Sequence, residues 1–191
     1  MTRQEEIVQR IVSKIDSAID DFNEGIPSVQ REIDSEIRLL IKSLDMNGKF
    51  IKNSVQNIRL LSKLRSKIES IVLNDSYKKK VEQFAQTFNT VATLQNLYFT
   101  SLDKRFTPNK ILGAIKEDAI SATVRSLTEG GINANLTSGI EDILRTYIRN
   151  GGEYVDLVDR MKTFISGNNN VPGYLTRYAR QVTIDSIQQY N

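Results

Sequence analysis

Apolar residues return every three or four positions along most of this chain, a period that fits helices and little else. Ile7, Ile11, Ile15, Ala18, Ile19 and Phe22 make the first stripe, closed by Gly25. Pro27 can open a second helix, because a first-turn N–H needs no partner. The second stripe is Ile26, Val29, Ile33, Ile37, Leu40, Ile41 and Leu44, followed by a turn at Met46-Asn47-Gly48-Lys49. The third is Ile51, Val55, Ile58, Leu61, Leu64, Ile68, Ile71 and Val72, and it stops at Asn74-Asp75-Ser76. The fourth is Tyr77, Val81, Phe84, Phe88, Val91, Leu94, Leu97, Tyr98 and Leu102. Helices of about 20 residues each span roughly 30 Å, and short connections favour antiparallel neighbours. Thr2-x-x-Glu5 reads as a capping box ahead of the first stripe.

The second half is built from shorter pieces. Residues 103–110 read as a loop, with Thr107-Pro108 as cap and first helical residue. A fifth segment, Ile111, Leu112, Ile115, Ala119, Ile120, Val124 and Leu127, ends at Gly130-Gly131. Residues 132–136 read as irregular or extended, and Ser138-x-x-Glu141 as a second capping box opening Ile140, Ile143, Leu144, Tyr147 and Ile148. Asn150-Gly151-Gly152 stops that helix. A short segment from Tyr154 to Ile165 leads to the loop 166–173, and a last one runs from Tyr174 to Tyr190. No strand and no exact internal repeat is expected. The expectation is an all-α protein with an elongated hairpin or bundle arm over 1–103 and a smaller helical domain over 104–191. The last helix has no stop signal, so the chain is expected to continue into a further C-terminal region.

Composition removes whole classes of chemistry. The 191 residues include no His, no Cys and no Trp. Without imidazole or thiol, Ser-His-Asp, Cys-His, HExxH and zinc-knuckle sites are excluded, as is a disulfide framework. Absence of Cys fits a reducing compartment. Gly130-Gly131 and Gly151-Gly152 lie between helices and match no phosphate-loop pattern. Asp16, Asp20 and Asp21 share a helix face, as do Glu32 and Glu36, and no calcium-loop spacing is present. These read as solvated surface. No cofactor, metal or catalytic residue is expected. Nor does any run approach the roughly 18 apolar residues of a membrane span.

Charge is uneven. Residues 1–50 carry 7 basic and 10 acidic groups, residues 51–105 carry 10 and 4, and residues 106–191 carry 9 and 9. A basic middle suits an acidic partner or nucleic acid. Its candidate contacts are Lys63, Arg65, Lys67, Lys78, Lys79 and Lys80. A solvated helix face accounts for the same residues, and the aromatic residues nearby fall on the apolar stripe. The last helix mixes aromatic and polar groups. Tyr174, Arg177, Tyr178, Arg180, Gln181 and Tyr190 are candidate protein-interface residues, since Tyr and Arg often anchor interfaces.

The string GYLTRYARQVTIDSIQQYN at 173–191 resembles a helix of tailed-phage minor head proteins, the Mu F-like head-morphogenesis group. In that group a Leu-x-Arg-Tyr pattern and a polar helix lead into a compact C-terminal domain. NIRLLSKLRSKI (57–68), LQNLYF (94–99), Ile143-Leu144, Gly151-Gly152 and FISG (164–167) resemble the group's helical N-terminal half. The resemblance is diffuse and carries over no functional residue. It implies a virion structural component, assembled in the host cytoplasm and bound near the portal, capsid or neck. Its partners would be other phage structural proteins, copies of itself and packaged DNA. Two other readings stand beside it: a nucleic-acid-binding module using residues 52–80, and an enzyme whose active site lies in the further C-terminal region.

Overall fold

In the computed structural model, which describes residues 2–190, Thr2 caps the first helix. Its hydroxyl accepts from the Glu5 N–H at 3.2 Å, and the Glu5 carboxylate accepts from the Thr2 N–H at 2.6 Å. The capping box is therefore formed as expected. Helix α1 then runs from Arg3 to Ile41, 39 residues in one piece. The expected break at Gly25 and Pro27 does not occur. Pro27 lies inside the helix, and Phe22, Ile26, Val29 and Ile33 on either side of it enter one core. Burial of that continuous stripe outweighs the roughly 3 kcal/mol that an internal proline costs. Gly25 is used for close packing: a β-carbon there would lie 2.9 Å from Cδ of Lys80, whose side chain crosses it from a later helix.

A two-residue hairpin follows, which is a strand where none was expected. Strands β1 (Met46–Asn47) and β2 (Phe50–Ile51) pair antiparallel, Met46 with Ile51 and Asn47 with Phe50. Gly48 makes the turn with φ of +61°. Helices α2 (Val55–Val72) and α3 (Asp75–Leu102) come next, capped by Ser54 and Asn74. Helix α4 spans Lys110–Leu127. Its cap is Asn109, which accepts from the Leu112 N–H at 2.9 Å, so the expected start at Thr107-Pro108 is corrected by two residues. Residues 129–133 form a π-helical turn that passes into α5 (Ala134–Asn150). The irregular or extended stretch expected at 132–136 is therefore helical. Ser138 is internal to α5 and caps nothing, and Glu141 is used elsewhere. Gly151 closes α5 in the left-handed region, φ +64°. Helices α6 (Tyr154–Ser166) and α7 (Tyr174–Tyr190) complete the described residues.

The all-α class expected from periodicity is what the structure shows, with only the small hairpin added. Helix α1 is the central strut, packing on α2, α3, α6 and α7. The main core draws on both sides of residue 103: Ile33, Leu64, Phe88, Ile132, Leu144, Leu157, Leu175 and Ile187 belong to one buried cluster. A smaller cluster of Ile7, Ile11, Val91 and Leu94 joins the start of α1 to α3.

Candidate protein-docking groove

Helix α7 is held at both ends, by α1 near its start and by α3 near its end. Near its start, the Gln30 amide donates to the Ile165 carbonyl at 3.0 Å and to the Thr176 hydroxyl at 2.8 Å. Near its end, the Tyr190 ring meets Phe88 edge-on, with centroids 5.3 Å apart. Leu175, Ala179, Thr183 and Ile187, four residues apart, make its buried line. The next line of the same helix, Thr176, Arg180, Ile184 and Gln188, faces Ile15, Asp16, Ile19, Asp20 and Asn23 of α1 across a groove of about 650 Å³.

Both walls of this groove have helical register. Ile15, Ile19 and Ile184 supply apolar floor, Asp16 and Asp20 one acidic wall, and Arg180 and Gln188 a polar wall opposite. Asn23 adds an unusual feature. Its side-chain oxygen is buried and accepts no hydrogen bond. A buried acceptor without a donor is costly. The arrangement suits a third helix with an apolar stripe and a flanking cation or amide.

The sequence-derived interface residues divide between two roles. Tyr174 and Tyr178 turn inward: Phe164, Tyr174 and Tyr178 stack, with centroids 5.1 and 6.0 Å apart. Burial, with the nearby Tyr178 adding, raises the pKa of Tyr174, while Arg177 works against that shift. Burial also raises Tyr190, with Glu117 adding. Arg177, Arg180 and Gln181 are exposed, and of the six only Arg180 lines the groove. Asp16, Asp20, Asn23, Thr176, Ile184 and Gln188 were outside the expected interface. The four-residue steps of polar residues in α7 and the Asp16/Asp20 pair were the available signals.

The basic candidates do not gather into one free cationic surface. Arg65 forms two hydrogen bonds to Glu141 on α5. Lys67 pairs with Glu36 on α1 at 3.0 Å. Lys80 lies over Gly25. Lys63 and Lys79 are exposed and Lys78 half-buried.

Among the described residues no three Asp or Glu side chains gather where they would hold a metal ion, and no helix is long and apolar enough to cross a membrane. No protein-family model, curated protein or solved structure matches this chain.

Proposed function

We propose that this chain is a non-enzymatic virion protein of a tailed phage, a minor head or portal-associated component that acts in head assembly or DNA packaging through protein–protein contacts. The observation that carries the reading is the α1–α7 groove, with two helical walls that carry opposite charges, Asp16 and Asp20 on one and Arg180 on the other. The phage setting is supported by the resemblance at 173–191, and α7 is the helix that resemblance covers. The occupant is a helix of another head component: the portal, capsid or neck protein. It would place a cation against Asp16 and Asp20, and a carboxylate or amide against Arg180.

The test is mass spectrometry of purified particles of the encoding phage, wild type and with Arg180→Glu or Asp20→Lys in this chain. The protein should be present in wild-type particles and depleted by either charge reversal, with the variant proteins still folded and expressed. Particles without the protein, or groove variants incorporated at the wild-type level, would overturn the reading.

A further inference from the structure

The first half of α4 is bare. Ile111 is 68 % exposed, Leu112 43 % and Ile115 51 %. Its buried residues, Thr123 and Leu127, come only in its last two turns. At helical spacing, Ile111, Ile115, Asp118 and Ala122 share one line, with Ala114 beside it. The adjoining end of α3 leaves Phe99 44 % and Leu102 59 % exposed. A contiguous apolar surface of this kind marks a binding face.

Its charges indicate what binds there. Lys110 opens α4, and the first turn of the helix has no acidic residue. A cation at a helix N-terminus opposes the macrodipole. Glu117 and Asp118 lie two turns further on. Among the described residues neither Lys110 nor Asp118 joins an ion pair, and the exposed Glu117 pairs only with its half-buried neighbour Lys116. The apolar stretch is therefore positive at one end and negative at the other.

We propose that two copies of this chain associate by packing α4 against α4 in antiparallel register, centred near Ala114, burying Ile111 and Ile115 of both. In that register Lys110 of each copy meets Glu117 and Asp118 of the other. Each pair of carboxylates also reaches the positive end of the opposite helix, where the dipole favours them. A parallel pairing would set Lys110 against Lys110 and carboxylate against carboxylate, so of the two possible two-fold pairings the charge pattern selects the antiparallel one. This face is separate from the α1–α7 groove, and each surface can fail without the other.

Sedimentation equilibrium of the full chain over low to high micromolar concentration tests the proposal. The wild type should show a monomer–dimer equilibrium. Ile115→Lys should weaken it by at least about ten-fold, equivalent to roughly 1.4 kcal/mol. Lys110→Glu should weaken it too, although that change favours the helix itself, so unfolding is not the cause. Combining Lys110→Glu with Glu117→Lys and Asp118→Lys in one chain should restore association, since each copy then carries both reversed signs. A chain monomeric throughout, a dimer indifferent to Ile115→Lys, or a triple reversal that fails to restore it would overturn the proposal. So would a monomer that uses Ile111 and Ile115 to bind phosphatidylserine vesicles, which would make this a lipid-facing surface.

Discussion

Arg65 on α2 holds Glu141 on α5 through two parallel hydrogen bonds, Nε to Oε1 and a terminal nitrogen to Oε2, each 3.0 Å. The two side chains differ in setting: Glu141 is 10 % exposed and Arg65 64 %. The hydrogen bond to Glu141, reinforced by its charge, raises the arginine pKa further. Loss of the arginine strands a buried carboxylate, whereas loss of the carboxylate frees a cation into water. We expect Arg65→Ala to lower the melting temperature more than Glu141→Gln, and the double variant to recover part of the Arg65→Ala loss. Thermal melts of the four proteins at neutral pH measure this. Equal losses from the two single changes would mean that the carboxylate does not depend on the arginine.

Much of the fold was legible from short-range pattern. Apolar period located the helices, Thr2-x-x-Glu5 located the first cap, and Gly48 and Gly151 marked turns that need positive φ. What was not legible depends on residues far apart in sequence. Gly25 and Pro27 carry a local stop signal, but neighbouring helices bury both sides of it. Ser138 and Glu141 match a capping box, yet Glu141 is claimed by a residue 76 positions away. The α1–α7 groove joins residues about 160 apart, and no local rule pairs Asp20 with Arg180. Exposure of Ile111 and Ile115 was invisible for the same reason: periodicity shows that a stripe exists, and only tertiary packing shows whether the chain covers it.

Two glycines inside helical segments should respond in opposite directions. At Gly113 an added β-carbon meets nothing within 4 Å. Gly113→Ala should therefore stabilise the chain by up to about 1 kcal/mol, the propensity difference at an exposed helical site. At Gly131 a β-carbon would lie 2.0 Å from the Ser126 carbonyl oxygen and 2.4 Å from the Tyr178 hydroxyl. Backbone must move to admit it, and Gly131→Ala should cost at least about 2 kcal/mol. Denaturant midpoints separate the two. A harmless Gly131→Ala would mean that α7 does not press on the π-turn as closely as Tyr178 indicates.

Asn57 is fully buried, and its amide organises the hairpin. Its oxygen accepts from the Asp45 N–H at 2.7 Å, and its nitrogen donates to the carbonyls of Asp45 at 3.0 Å and Lys52 at 2.7 Å. The hairpin in turn docks the α5–α6 junction, through Ile51 N–H to the Gly152 carbonyl at 2.9 Å and Tyr154 N–H to the Lys49 carbonyl at 3.0 Å. Asn57→Leu should leave the Asp45 N–H without a partner, while the carbonyls of Asp45 and Lys52 keep the Lys52 and Ser54 N–H donors, and should destabilise by about 1–3 kcal/mol. Hydrogen exchange should accelerate first at Ile51 and Tyr154. Uniform acceleration through all helices would show instead that the hairpin unfolds only with the whole chain.

Tyr77 should set part of the alkaline limit of stability. It is 1 % exposed, and its hydroxyl donates to the Leu127 carbonyl at 2.9 Å. Burial, with a smaller contribution from Tyr178, pushes its pKa well above the ordinary tyrosine value. The unfolded chain releases this proton near pH 10, while the folded chain holds it to higher pH. Stability from this group is therefore complete below about pH 10 and falls above it, by up to about 1.4 kcal/mol per pH unit. With no histidine in the sequence, no imidazole titrates between pH 6 and 9, and melting temperature should be nearly flat there. Tyr77→Phe should cost about 1 kcal/mol at neutral pH through the lost bond to Leu127. It should also make the alkaline decline shallower, leaving the part due to Tyr174 and Tyr190. Melting curves from pH 6 to 11 decide the matter: an alkaline limb equally steep in the variant would remove Tyr77 as its source.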